Sequence, residues 1–198
     1  MRFLLACLVA MLLLLGVGNA SAQQMYAGVA GGYAFEAFDV PSEVDEWLEF
    51  DNSWAMYAYF GYGIYENLTI QADLGRCFGF PPEESDSIVD EDDLEVTVWT
   101  MIVSAKYSIP TEYVATPFVI GGIGWGWYEA KEEIPGVDDE DEAEIDDSGM
   151  VIRVGGGVDY KISEVLTLTA DVGYVMAFGD IEDLNFIDVR VGIGYTFK

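Results

Sequence analysis

The sequence predicts an all-β fold, an eight-stranded antiparallel up-and-down transmembrane β-barrel. Three observations lead there. The segment from Ile187 to the end alternates without a break between large apolar side chains and small or charged ones. Turn residues divide the chain before it into segments of similar pattern, joined by connections that alternate between short and long. Of the 36 acidic residues, 29 fall in four clusters, Glu36–Asp51, Glu83–Glu95, Glu129–Asp147 and Asp180–Asp183, in and at the edges of the long connections, so charge is sorted to one end of the strands.

The last segment shows how the faces are assigned. Side chains along a strand point alternately to its two sides, so Ile187, Val189, Val191, Ile193, Tyr195 and Phe197 share one surface. Asp188, Arg190, Gly192, Gly194 and Thr196 share the other. A soluble barrel buries its apolar row, whereas a membrane barrel turns that row to lipid and encloses the polar one. Two glycines, a threonine and one acid–base pair make a poor water-facing surface but suit a narrow lumen, so the apolar row is expected to face lipid.

The other strands follow in order. Strands one (24–36) and two (52–64) are rich in Gly, Tyr and Trp, and their facing stays open. Strand three (67–79) sets Ile70, Ala72 and Leu74 against Gln71, Asp73 and Gly75. Strand four (95–109) sets Trp99, Met101, Val103, Ala105 and Tyr107 against Thr100, Ile102, Ser104 and Lys106. Strand five (116–128) is again glycine-rich and ambiguous. Strand six (149–162) opposes Ile152, Val154, Val158, Tyr160 and Ile162 to Arg153, Gly155, Gly157, Asp159 and Lys161. Strand seven (165–178) opposes Leu166, Leu168, Ala170, Val172, Tyr174 and Met176 to Thr167, Thr169, Asp171, Gly173 and Val175. Strand eight (185–198) completes the set. Residues 65–66, 110–115 and 163–164 form the short turns, and 37–51, 80–94, 129–148 and 179–184 form the long acidic connections.

The N-terminus places the chain outside the cytoplasm. Arg2 precedes an apolar run from Phe3 to Val17, and Ala20-Ser21-Ala22 is a small-residue cleavage site, so residues 1–22 read as a secretory signal peptide and 23–198 as one barrel domain. The apolar run is shorter than the roughly 20 residues that span a bilayer. Removal of the signal leaves Cys77 alone, so no intramolecular disulfide is expected, and the thiol reads as a small buried residue. A formal net charge of −28 excludes attraction to nucleic acid, whose phosphates would be repelled.

The inward rows together contain Asp73, Asp159, Asp171 and Asp188 with Lys106, Arg153, Lys161 and Arg190. Isolated buried charges are costly, so equal numbers of each sign predict a network of ion pairs that fills the lumen. Aromatic residues collect where membrane interfaces would fall. Tyr65, Tyr107, Phe118, Tyr160, Tyr195 and Phe197 lie at the short-turn ends, and Phe35, Trp54, Phe78, Trp99, Trp127, Phe178 and Phe186 towards the loop ends, as two girdles.

Taken together, the signal peptide, the eight-strand meander, Thr116-Pro117-Phe118 before the glycine-rich fifth strand, and the C-terminal Val191-Gly192-Ile193-Gly194-Tyr195-Thr196-Phe197 resemble the small outer-membrane β-barrels of the outer-membrane protein A transmembrane domain and outer-membrane protein X type. The resemblance covers essentially the whole mature chain. It implies a Gram-negative outer-membrane location with both termini in the periplasm and the long loops at the cell surface. It also implies a monomer surrounded by outer-membrane lipid, whose final strand, through Tyr195 and Phe197, is the signal read by the outer-membrane assembly machinery. Lys198 after Phe197 departs from the family's terminal aromatic.

Chemistry is thinly represented. Lipid-modifying barrels of the deacylase type resemble Ser-His-Glu hydrolases, and a chain without histidine cannot build that constellation. Ser104 and Lys106 share the inward row, but a lysine of the ion-pair network beside a small polar filler accounts for both. Gly121-Gly122-Ile123-Gly124-Trp125-Gly126 and Gly155-Gly156-Gly157 precede no helix pattern and so do not read as phosphate loops. Asp138, Asp139, Asp141, Glu142, Asp146 and Asp147 are the candidate carboxylates for loosely bound Ca²⁺ or Mg²⁺, although their spacing matches no EF-hand. No other cofactor is expected. The role expected is structural or surface-interactive, through the acidic loops, with a narrow cation-preferring channel as the alternative.

Overall fold

Backbone N–H and C=O groups within a bilayer have no water to bond, so strands can cross only if each is paired on both sides. The chain meets that demand in a computed structural model, which describes residues 24–37, 52–80, 94–132, 144–182 and 184–197. Its elements are β1 (Met25–Glu36), β2 (Ser53–Tyr65), β3 (Leu68–Phe80), β4 (Leu94–Ser108), β5 (Ala115–Glu132), β6 (Glu144–Lys161), β7 (Leu166–Gly179) and β8 (Phe186–Phe197). Each pairs antiparallel with its sequence neighbours, and β1 pairs with β8 from Met25↔Phe197 to Glu36↔Phe186, which closes the barrel.

Six strands match their expected limits to within a residue or so at each end. The exceptions are β5 and β6, whose ladder continues to Lys131↔Glu144. The connection expected at 129–148 is therefore shorter, and Glu129, Glu132, Glu144, Asp146 and Asp147 belong to strands. Acidic residues mask the alternation there, but the pairing of backbone groups does not depend on what the side chains are.

The alternation itself holds. In β8, Asp188 and Arg190 are buried while Val191 and its row-mates are exposed on the outer surface. The strands left open by sequence are now assigned. Tyr26, Ala30 and Ala34 of β1, Ala55 and Tyr57 of β2, and Phe118 and Ile120 of β5 point inward, while Val29, Trp54, Met56, Val119, Ile123 and Trp125 point outward. Phe118 and Phe186, expected in the aromatic girdles, are instead buried inside the barrel. The other members of both girdles lie on the outer rows, and Trp99 and Trp127 stack with their ring planes 6° apart.

The compact turn after β7 shapes the loop end. Gly179 takes φ of 83°, a left-handed conformation that glycine adopts without a Cβ clash. Asn185 Oδ1 accepts the Ala177 N–H, Asn185 Nδ2 donates to the Glu182 carbonyl, and Ala37 N–H donates to the Asn185 carbonyl. This lacing swings Ile181 over the barrel mouth, into space left by the missing side chains of Gly126 and Gly149.

Candidate functional site

The lumen is built in two layers. Towards the middle and the short-turn end lies a polar layer whose members come from β1, β3, β4, β6, β7 and β8. Arg153 of β6 pairs with Asp171 of β7 and, at 3.2 Å, with Asp188 of β8. Asp188 also pairs with Arg190, which reaches Asp73 of β3 at 3.3 Å. Gln71 Nε2 donates to Asp73 Oδ1 at 2.9 Å, and the Tyr26 hydroxyl donates to Gln71 Oε1 at 2.6 Å. One chain of polar contacts thus runs from Asp171 to Tyr26, across the barrel.

A second cluster sits beside it. Lys106 of β4 pairs with Asp159 of β6 at 2.7 Å, and Thr169 Oγ1 donates to the same carboxylate at 2.8 Å. Aromatic faces complete the cation sites: Lys106 Nζ lies 3.9 Å from the Phe118 ring centroid, and the Arg190 guanidinium 3.7 Å from that of Tyr57. Each such contact contributes about 0.5–2 kcal/mol, more when dry. A small cavity of about 20 Å³ lies between the clusters, lined by Tyr59, Asp73, Lys106, Asp171 and Arg190 among others. It has room for about one water molecule.

Above this lies an apolar layer that sequence reasoning did not anticipate. Ala34, Ala55, Cys77, Val98, Ile102, Val151, Val175, Ala177, Ile181 and Phe186 are buried together, with Tyr128 and Leu184 packed against them. Tyr128 donates to Asp147 at 3.1 Å where the β5–β6 ladder begins to rise from the barrel. The signal was present in the inward positions of Ile102 and Val175, but the layer depends on register between strands far apart in sequence.

Seven of the eight charges expected inside thus meet in the polar layer. Lys161 does not. It ends β6 at the short-turn rim and is exposed. Alternation assigns a side of the strand, not a depth, and a rim lysine can turn its ammonium to water. Among the described residues, the lumen therefore holds four carboxylates and three cations, and Asp73 Oδ2 is buried without a hydrogen-bond partner.

The remaining expectations fall elsewhere. Lys106 is engaged with Asp159, while Ser104 Oγ is buried without a hydrogen-bond partner, so the two do not form a nucleophile–base pair. Asp138, Asp139, Asp141 and Glu142 lie outside the described residues, the Asp146 side chain is not described, and Asp147 engages Tyr128. Among the described residues, no group of three or more carboxylates or thiols is arranged to hold a metal ion. Cys77 is a free thiol buried in the apolar layer.

The model of the outer membrane protein beta-barrel domain matches residues 7–197. The chain belongs to that family. Solved members of the same architecture include Neisserial surface protein A, at 15% identity and a TM-score of 0.61 over 90% of this chain and 99% of that one. A major outer membrane protein from Thermus thermophilus aligns at 10% identity and a TM-score of 0.61, over 88% of this chain and 99% of that one. Ail, the attachment invasion locus protein of Yersinia pestis, solved with the heparin analogue sucrose octasulfate, aligns at 14% identity and a TM-score of 0.57, over 89% and 99%. At these identities the likeness establishes the fold. No curated protein matches the chain significantly. Family membership and the lipid-facing apolar surface make the protein an outer-membrane barrel.

Proposed function

We propose that this barrel is a non-enzymatic surface protein that works through its acidic loops, with residues 1–22 removed as a signal peptide and both termini in the periplasm. The observation that carries the reading is the filled lumen. Its middle is cross-linked by ion pairs and its loop end is filled by buried, mostly apolar side chains. A conducting path would have to break both, which sets the channel alternative aside. What remains available for recognition is the loop end, where the sequence concentrates its negative charge. Such loops favour cationic partners or divalent cations and repel polyanions. Ail was solved with a sulfated polyanion; a chain with a net charge of −28 calls for a partner of opposite sign.

Recognition of Tyr195 and Phe197 by the assembly machinery, and a monomeric barrel in lipid, belong to the same proposal. The test is replacement of residues 133–143 by a short neutral turn in cells that express the barrel. Binding of a polycationic probe to the intact cells should fall while the amount of folded barrel stays constant. Unchanged binding would overturn the loop-based role, and loops resistant to protease on intact cells would overturn the orientation.

A further inference from the structure

One charged side chain stands on the wrong face. Among the residues whose side chains are described, Arg76 is the lone charged member of the outward rows, sharing its side of β3 with Ile70, Leu74 and Phe78. It lies at loop-end girdle depth, opposite Met56 of β2 and Trp99 of β4. Its guanidinium lies 4.8 Å from the Phe78 ring centroid and 5.1 Å from that of Trp99. Its Nε is buried with no hydrogen-bond partner, and no carboxylate among the described residues pairs with it. The guanidinium is thus held against two aromatic rings at the loop-end girdle, with no ion-pair partner among the described residues.

Beside it is a groove. The row that holds Arg76 continues through Met56 to Gly31 of β1 and Val191 of β8. A Cβ added at Gly31 would meet nothing within 4 Å, so the glycine opens a trough in the outer wall. Gly31, Tyr33, Trp54, Met56, Phe78 and Val189 line this recess, which has a volume of about 580 Å³. Phe78 is shared by the groove wall and the guanidinium stack.

We propose that Arg76 and the Gly31 groove form a binding site for a phosphate-bearing lipid of the loop-side leaflet, with the phosphate on the guanidinium and one acyl chain in the groove. The match is chemical on both counts. A guanidinium offers paired N–H donors that fit a phosphate, and the girdle sets it at headgroup depth. The trough is lined almost wholly by apolar atoms, as an acyl chain requires. The proposal rests on the barrel spanning the outer membrane and is independent of what the acidic loops bind.

The test uses the refolded full-length barrel in phosphatidylcholine nanodiscs doped with acyl-brominated lipids, read by tryptophan quenching at Trp54 and Trp99. Brominated phosphatidic acid should quench at about tenfold lower mole fraction than brominated phosphatidylcholine, as one charge-assisted contact implies. Arg76→Gln should abolish that preference, Arg76→Lys should keep part of it, and Gly31→Leu should weaken quenching by both lipids. Folding of each variant is checked by heat-modifiable gel migration. Equal quenching by the two lipids in the wild type, or a preference that survives Arg76→Gln, would overturn the site. Loss of the preference on adding excess inorganic phosphate would assign Arg76 to free anions instead. A dimer that excludes brominated lipid in the wild type but not in Gly31→Leu would put a second copy in the groove.

Discussion

Arg153 is the junction of the lumen network. Its guanidinium joins β7 and β8 to β6 through Asp171 and Asp188, and the side chain is 2% exposed. Replacing it with Met leaves Asp171 without its ion-pair partner and Asp188 with Arg190 alone, which should cost about 3–5 kcal/mol, the range for breaking a buried pair from one side. Urea unfolding of the refolded barrel in lipid vesicles measures it. Lys161→Ala is the matching control: the exposed rim lysine should change stability by less than about 0.5 kcal/mol in the same titration. The contrast tests whether ion pairing inside the barrel, rather than positive charge as such, holds the strands together.

At the scale of strands, the glycines divide by face. Gly173 of β7 faces inward, and a Cβ there would meet the Arg153 guanidinium 2.6 Å away together with Asp188. Gly173→Ala should therefore destabilise by about 1–3 kcal/mol, as overpacked cores do. Gly31→Ala, which opens on lipid, should be close to neutral in the same unfolding assay. The outward rows of β3, β4, β6, β7 and β8 were legible in the sequence because lipid demands one apolar side chain after another. In β1, β2 and β5 the lumen itself contains Ala, Tyr, Phe and Ile, so neither face is distinctive; Phe118 inside and Ile123 outside look alike to any hydropathy pattern. The length of the β5–β6 hairpin was hidden for a different reason. Pairing continues from Trp127 to Lys131 through Glu129-Ala130-Lys131, a stretch whose sequence has no hydrophobic alternation. Candidate lumen charges were readable from alternation, whereas their partners depended on register, which places Arg190 beside Asp73 across a sequence separation of 117.

For the molecule as a whole, the filled interior predicts electrical silence. Wild-type barrel in planar bilayers should show no stable conductance at neutral pH, and a steady cation-selective current would mean that the apolar layer around Ile102, Val151 and Phe186 opens. The β5–β6 ladder should also make residues 133–143 dispensable for folding, because seventeen paired positions already hold the hairpin. A chain with that segment shortened should retain the far-UV circular dichroism of β-sheet and heat-modifiable migration on gels.

The seam between β1 and β8 has a further consequence, for the order of events. It joins Met25 to Phe197, the two ends of the described chain, along twelve paired positions. Until the last strand made is in place, β1 and β7 each offer a bare row of backbone donors and acceptors to any passing strand. A chain cut before Phe186 is thus a sheet with two adhesive edges, prone to join its neighbours. The twelve-residue β8 pairs with both β1 and β7, so the strand that seals the ring also covers the edges through which open copies would aggregate.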